Sequence, residues 1–178
     1  GQGRYYNPVF REMGERKQYE GYVTDITTDL CLDWLRQREA EKPFCLMFHH
    51  KAPHRNFCPP LRYLDMYKDE EIPEPDNLFD DHWGRSAAAY QQKLSIAEEM
   101  NERDLKLTPK SGLTKEQKKR WQAAYKQRRE EYEKGDMSGE ELVRWKYQAY
   151  MKDYLRTVAG VDDSVGQLLD YLDSSGLG

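Results

Sequence analysis

Three cysteines in 178 residues, Cys31, Cys45 and Cys58, form an odd set with no C-x-x-C spacing. That excludes a disulfide framework and the usual zinc knuckle. No apolar run approaches the roughly 18 residues of a membrane span, and the opening GQGRYYNPVF carries no signal-peptide pattern. The G-x-S-x-G, P-loop and Rossmann fingerprints are missing, so no serine elbow and no glycine cradle for nucleotide phosphates is present. Apolar material is scarce too: 38% of residues are hydrophobic against 34% charged, and mean hydropathy is −1.04. The net charge of −4 gives no global attraction to nucleic acid or anionic membrane.

What apolar material there is lies in a few segments of a length that suits one domain. Val23, Ile26, Leu30 and Trp34 repeat at helical spacing, predicting a helix over 22–40 with Thr24 or Asp25 as N-cap. Pro43 then leads into Phe44-Cys45-Leu46-Met47-Phe48, which reads as a strand over about 43–49 buried on both faces, as inside a parallel sheet. Residues 59–85 are rich in proline and acids and predict a surface loop with one turn near Leu61 to Met66. Helices are expected over 86–100 and 114–133. A long amphipathic helix is expected over 138–174, with Ser138 and Glu141 as a capping box. Its apolar stripe is Tyr147, Met151, Tyr154, Val158, Val161, Val165, Leu168 and Leu172. Gly160 marks a bend or close contact in it, as does Gly166, and Gly176 suits its C′ position. The expected class is therefore α/β, helix-rich, with one core strand. Nothing else in the chain reads as a partner for that strand, and a buried strand must pair its backbone on both sides. The chain accordingly reads as an internal fragment.

The strand opens into HHKAPHRNFCPP, and in open α/β sheets ligands sit beyond the carboxyl ends of strands. His50, His54 and Cys58 stand four residues apart, but Pro53 and Pro59 break the helix on which that spacing would gather a metal, so no metal site is assigned. Lys51, His54 and Arg55 together suit a cluster of anionic oxygens, with an imidazole able to protonate a leaving group. The acidic loop lacks EF-hand spacing. The charged helix over 115–134 forms no clean basic stripe and reads as a solvated face rather than a nucleic-acid surface.

GYVTDITTDLCLDWL, KPFCLMFHHKAPHRNFCPP and YLRTVAGVDDSVGQLLDYLDSSGL, in that order and spacing, together resemble the sulfatase family of the alkaline phosphatase superfamily. The wording is most similar to bacterial glycosaminoglycan sulfatases acting on 6-O-sulfated N-acetylglucosamine. The resemblance implies a sulfuric ester hydrolase that uses a formylglycine nucleophile and a calcium ion. The C/S-x-P/A-x-R segment that yields the nucleophile is missing, since Cys58 is followed by Pro59-Pro60-Leu61, and so is the D-N/Q-G metal loop. Both are expected outside residues 1–178, which would form the central part of one catalytic domain, inactive in isolation.

By the resemblance His54 is the general acid, Lys51 and Arg55 contact sulfate or sugar hydroxyls, and Asn56 and His50 are further substrate contacts. Asp162 and Asp163 are structural. The implied partners are a sulfated glycan and the remainder of the same polypeptide, with no nucleic acid and no membrane span. The implied location is periplasmic or extracellular. Two other readings stay open: a phosphoester or phosphonate hydrolase of the same superfamily, and a non-catalytic helical module whose basic loop grips an acidic partner.

Overall fold

The computed structural model describes residues 3–177. Strands β1 (Val9–Glu12) and β2 (Glu15–Gln18) form an antiparallel hairpin that sequence reasoning missed. The turn residues Met13 and Gly14 both adopt positive φ, which Gly14 does without steric cost. Helix α1 (Val23–Gln37) follows, starting one residue later and ending three earlier than expected; its N-cap is Tyr22, with no side-chain cap. Neither expected cap serves: Thr24 is buried inside the helix and Asp25 lies in its first turn.

Two expected helices are each divided. Residues 86–100 give α2 (Ala87–Gln91) and α3 (Ile96–Glu99), while 114–133 give α4 (Lys115–Ala124) and α5 (Lys126–Glu133), with the break at Tyr125. Thr114 and Gln117 form a reciprocal capping box at the start of α4. Helix α6 (Gly139–Ser174) is the long helix anticipated, but Ser138 makes no side-chain cap; Gly139 enters it at φ +53°. It ends in a Schellman motif: Leu177 N–H donates to Leu172 O at 2.9 Å and Gly176 N–H to Asp173 O at 3.3 Å, with Gly176 at positive φ.

Helices α1 and α6 run side by side in the same direction. Tyr22 lies against Gly160, Thr28 Oγ1 is hydrogen-bonded to Ser164 Oγ, and Arg36 lies over the Tyr171 ring. A Cβ on Gly160 would stand 3.0 Å from Pro60 Cγ, so this glycine marks the close contact anticipated for it. Around Gly166 the space is open.

The expected core strand needs correction. Residues 43–50 form neither helix nor paired strand among the described residues; 43–45 are exposed, and from Cys45 to His50 burial alternates instead of covering both faces. Leu46 and Phe48 pack on Cys31, Leu32 and Leu35 of α1 and on Leu168 and Tyr171 of α6, while Met47 is 76% exposed. The physical reason is that a strand exists only through its ladder partners, and the hairpin pairs with itself instead.

The stripe expected on α6 is also displaced. Its buried face is Tyr147, Ala149, Asp153, Arg156, Thr157, Gly160 and Ser164, so of the expected stripe only Tyr147 is buried, the others are half-buried and Val165 is exposed. Small and hydrogen-bonded polar groups occupy this crossing because α1, Pro60 and a buried ion cluster approach the helix closely there. The principal core gathers Tyr5, Tyr6, Tyr22, Val23, Cys58, Leu64, Trp121 and Tyr125 beneath the histidine-rich loop.

Candidate functional site

Three tyrosines hold the 51–60 loop by its carbonyl groups. Tyr5 Oη donates to His54 O at 2.5 Å, Tyr22 Oη to Cys58 O at 2.9 Å, and Tyr6 Oη to Pro59 O. Their rings stack and edge against one another and against Trp121, so rigid aromatic packing fixes the height of the loop. Burial raises the pKa of all three phenols well above the usual range, which keeps them protonated as donors.

His54 stays exposed on this support. Its backbone N–H donates to Lys51 O at 3.0 Å, closing a turn through Ala52-Pro53. Its ring Nδ1 is bound to the carbonyl oxygen of Arg55, so Nδ1 carries a hydrogen and Nε2 is left facing outward. Lys51 lies with Nζ 4.9 Å from the centre of the Tyr5 ring. Burial, together with the nearby ammonium of Lys110, lowers the Lys51 pKa, against the opposing pull of Cys58.

Arg55 and Asn56 turn to Asp104. The Arg55 guanidinium forks onto that carboxylate and also donates to Glu99 O at 2.5 Å, while Asn56 Nδ2 donates to Asp104 Oδ1. Burial alone would raise the Asp104 pKa, but these donors overcome it and hold the carboxyl below its usual range.

His50 lies apart from these groups, on the α6 side. Its ring is 4.3 Å from that of Phe48, and Nε2 is 3.2 Å from Ser164 Oγ. Burial lowers its pKa, and Nδ1 has no hydrogen-bond partner among the described residues. The structure thus brings Lys51, His54, Arg55 and Asn56 to one cavity and leaves His50 outside its lining.

That cavity encloses about 450 Å³, within the range of small-molecule sites. Besides Lys51, His54 and Arg55 it is lined by Arg4, Arg103, Lys106 and Lys110, and among the described residues no Asp or Glu lines it. Sequence reasoning missed Arg4 and the 103–110 segment. The available signal was three cations within RDLKLTPK, a stretch that reads otherwise as a mere connection.

Lys106 is buried and donates to Asp104 O at 2.6 Å. Burial lowers its pKa although Asp153 opposes the shift from 3.6 Å. Asp153 also takes Arg128 at 2.6 Å, Arg156 at 3.1 Å and the Tyr125 hydroxyl at 2.9 Å, and so anchors the floor of the cavity to α5 and α6. The expected structural role of Asp163 is realised with Arg62 at 2.9 Å and Tyr63 at 2.8 Å.

No trio of His, Cys, Asp or Glu side chains is gathered as metal ligands among the described residues. The thiol of Cys58 is buried, donating to Asn56 O at 3.1 Å, not presented as a nucleophile. The residues described here therefore do not fit as holders of either group that the resemblance implies. Among the described residues no helix is long and apolar enough to cross a membrane.

The family model described as Sulfatase matches residues 2–178. The chain is 44% identical over 191 residues to an N-acetylglucosamine-6-O-sulfatase of Bacteroides thetaiotaomicron, covering 98% of this chain and 34% of that protein. It is 43% identical over 54 residues to an arylsulfatase of Clostridium perfringens, covering 30% of this chain and 11% of that one. A solved structure of a protein in complex with its substrate D-glucosamine-2-N,6-O-disulfate superposes with a TM-score of 0.93 at 43% identity, over 98% of this chain and 39% of that chain. The chain thus spans about a third of the length of the first relative.

Proposed function

The chain belongs to the sulfatase family, and from that premise we propose that it forms the histidine-bearing rim of a catalytic domain that removes sulfate from a sulfated glycan. The substrate assigned is 6-O-sulfated N-acetylglucosamine. One observation carries this reading: an exposed imidazole, with its Nδ1 fixed by a carbonyl, stands at the edge of a carboxylate-free cavity lined by six other cations.

The chemistry of this chain's groups follows from that arrangement. Splitting a sulfate ester leaves negative charge on the sugar oxygen and on the sulfuryl oxygens. His54 Nε2, when protonated, gives its hydrogen to the departing sugar oxygen and returns to the neutral tautomer already set by Nδ1–H. The Lys51 ammonium stabilises sulfuryl oxygen charge in a recess where water is partly displaced. Arg55 and Asn56 act first as positioning residues through Asp104, with Arg55 also facing the cavity. His50 supports the rim from the α6 side. Formylglycine and calcium belong, in this reading, to residues beyond those described, and no step here passes through them.

The remainder of the polypeptide also covers Phe44, Met47, Val165 and Leu169, which are exposed in this chain. We place the protein in the periplasm or outside the cell, because a polymeric anionic glycan does not cross a membrane unaided. Glycan breakdown is then its role.

The test is sulfate release from N-acetylglucosamine 6-sulfate by the complete polypeptide, with the 6-phosphate of the same sugar as the rival substrate. Preferential sulfate release supports the reading. Preferential phosphate release assigns a phosphoester hydrolase instead, and tight binding of the sulfated sugar without turnover assigns a binding module.

A further inference from the structure

The cavity carries more positive charge than one sulfate ester accounts for. Of its lining cations, Arg55 is neutralised by Asp104, and Lys106 is paired with Asp153. Arg4, Lys51, Arg103 and Lys110 have no carboxylate oxygen within 4 Å among the described residues. Lys51 adjoins His54 in the loop and belongs with the scissile group. Lys110 and Arg103 come from a different segment, the connection between α3 and α4.

Lys110 is also held in place. Its Nζ is 3.2 Å from Cys58 Sγ and lies 5.4 Å from the Trp121 ring centre and 5.9 Å from that of Tyr6. An ammonium confined over two aromatic faces has surrendered much of its rotamer freedom before any ligand arrives. It also adds to the repulsion felt by the ammoniums of Lys51 and Lys106. Like charges gathered this way destabilise the empty cavity and are relieved by an anion, the usual signature of a ligand site rather than of a packing device.

We propose that Lys110 and Arg103 form a second anion subsite in the cavity that His54 lines, one that takes a second oxyanionic group on the same glycan. This rests on the sulfatase reading above for the identity of the glycan, though not for the presence of the anion site. The group has the chemistry of a sulfate or a carboxylate: it sits either on the sugar bearing the scissile ester or on its neighbour.

The experiment uses the complete polypeptide and three probes that share a 6-O-sulfate. These are the monosulfated sugar, the same sugar with a second sulfate at nitrogen, and a monosulfated disaccharide with an adjacent uronate. Lys110→Met keeps the alkyl stem over Trp121 and Tyr6 while removing the charge, and Arg103→Gln alters an exposed side chain, so both variants should fold; far-ultraviolet circular dichroism and melting check this. The ratio of kcat/KM for a doubly charged probe to that for the monosulfated one should fall at least tenfold in each variant. Which doubly charged probe shows the fall identifies the sulfate or the uronate as the occupant. An unchanged ratio for both probes, or an equal loss on all three, overturns the subsite. Calorimetric binding of the same probes separates the two claims. Charge-dependent binding lost in Lys110→Met without any turnover by wild type keeps the subsite and removes the sulfatase reading.

Discussion

Arg55 forks onto Asp104, with Nε 3.0 Å from Oδ1 and Nη2 2.6 Å from Oδ2, so the residue next to the candidate acid is tied to a carboxylate 49 positions further along the chain. The Asp104 side chain is only 4% exposed, and it also takes the amide of Asn56 and the backbone N–H of Asn101. Its loss leaves those donors unsatisfied. Asp104→Ala should cost about 2 kcal/mol in chemical denaturation and lower kcat more than it raises KM, because the rim loosens. Equal stability of variant and wild type would remove the fork from the account.

His54 is expected to matter in proportion to how poor the leaving group is. His54→Ala should lower turnover of a 6-O-sulfated sugar about a hundredfold or more with melting unchanged. An aryl sulfate, whose phenolate departs without help from an acid, should lose far less. Comparable losses on both substrates would place His54 in binding instead of proton transfer.

Among the described residues Asp153 is the sole carboxylate within 4 Å of Arg128, Lys106 and Arg156, and all four groups are buried or nearly so. Asp153→Ala should destabilise by about 3–5 kcal/mol, the usual cost of stranding buried charge, or abolish folding. Asp153→Asn tests whether hydrogen bonding alone suffices and should still lose most of that. Urea titrations followed by tryptophan fluorescence measure both.

Burial tends to raise the pKa of Asp153 and Asp104, yet their cationic partners prevail and both are lowered on folding. A carboxyl lowered on folding contributes stability that is present above its unfolded value, about 3.9, and lost as pH falls through the folded value. Melting temperature should therefore respond little to these groups between pH 7 and 5 and fall steeply below about pH 4. Asp153→Asn should flatten that acid limb. Acid curves that coincide for variant and wild type would contradict the linkage.

The two glycines inside α6 should respond in opposite directions to alanine. Gly166 faces open space, so Gly166→Ala should gain about 1 kcal/mol from helix propensity. Gly160→Ala would drive a methyl to 3.0 Å from Pro60 Cγ, and Pro60 is fully buried in a rigid ring. A net loss in melting temperature is expected there, with the α1 to α6 contact spread apart.

Much of this organisation is legible in the chain itself. The 3.6-residue periodicity sets α1 and α6, Gly176 ends α6, and the change from an apolar run to histidines, lysine and prolines announces the rim, since these depend on neighbours within a few residues. The capping of α4 by Thr114 and Gln117 is of the same local kind, although Ser138 shows that an identical pattern need not close. Which face of α6 turns inward is not local. Its apolar stripe stays half-exposed because Asp153, Arg156, Gly160 and Ser164 meet α1, α5 and Pro60 at distances only small or hydrogen-bonded groups permit.

Residue types and spacing, then, determined the helices, the proline-stiffened loop and the identity of His54 as the group to watch. Only the tertiary structure decided that Arg55 and Asn56 spend their donors on Asp104, that His50 turns to Ser164, and that Lys110 and Arg103 face the cavity. The physical reason is that hydrogen bonding and charge pairing depend on distance in space. The partners that consume or spare each side chain here lie tens of residues away, beyond the reach of any local pattern.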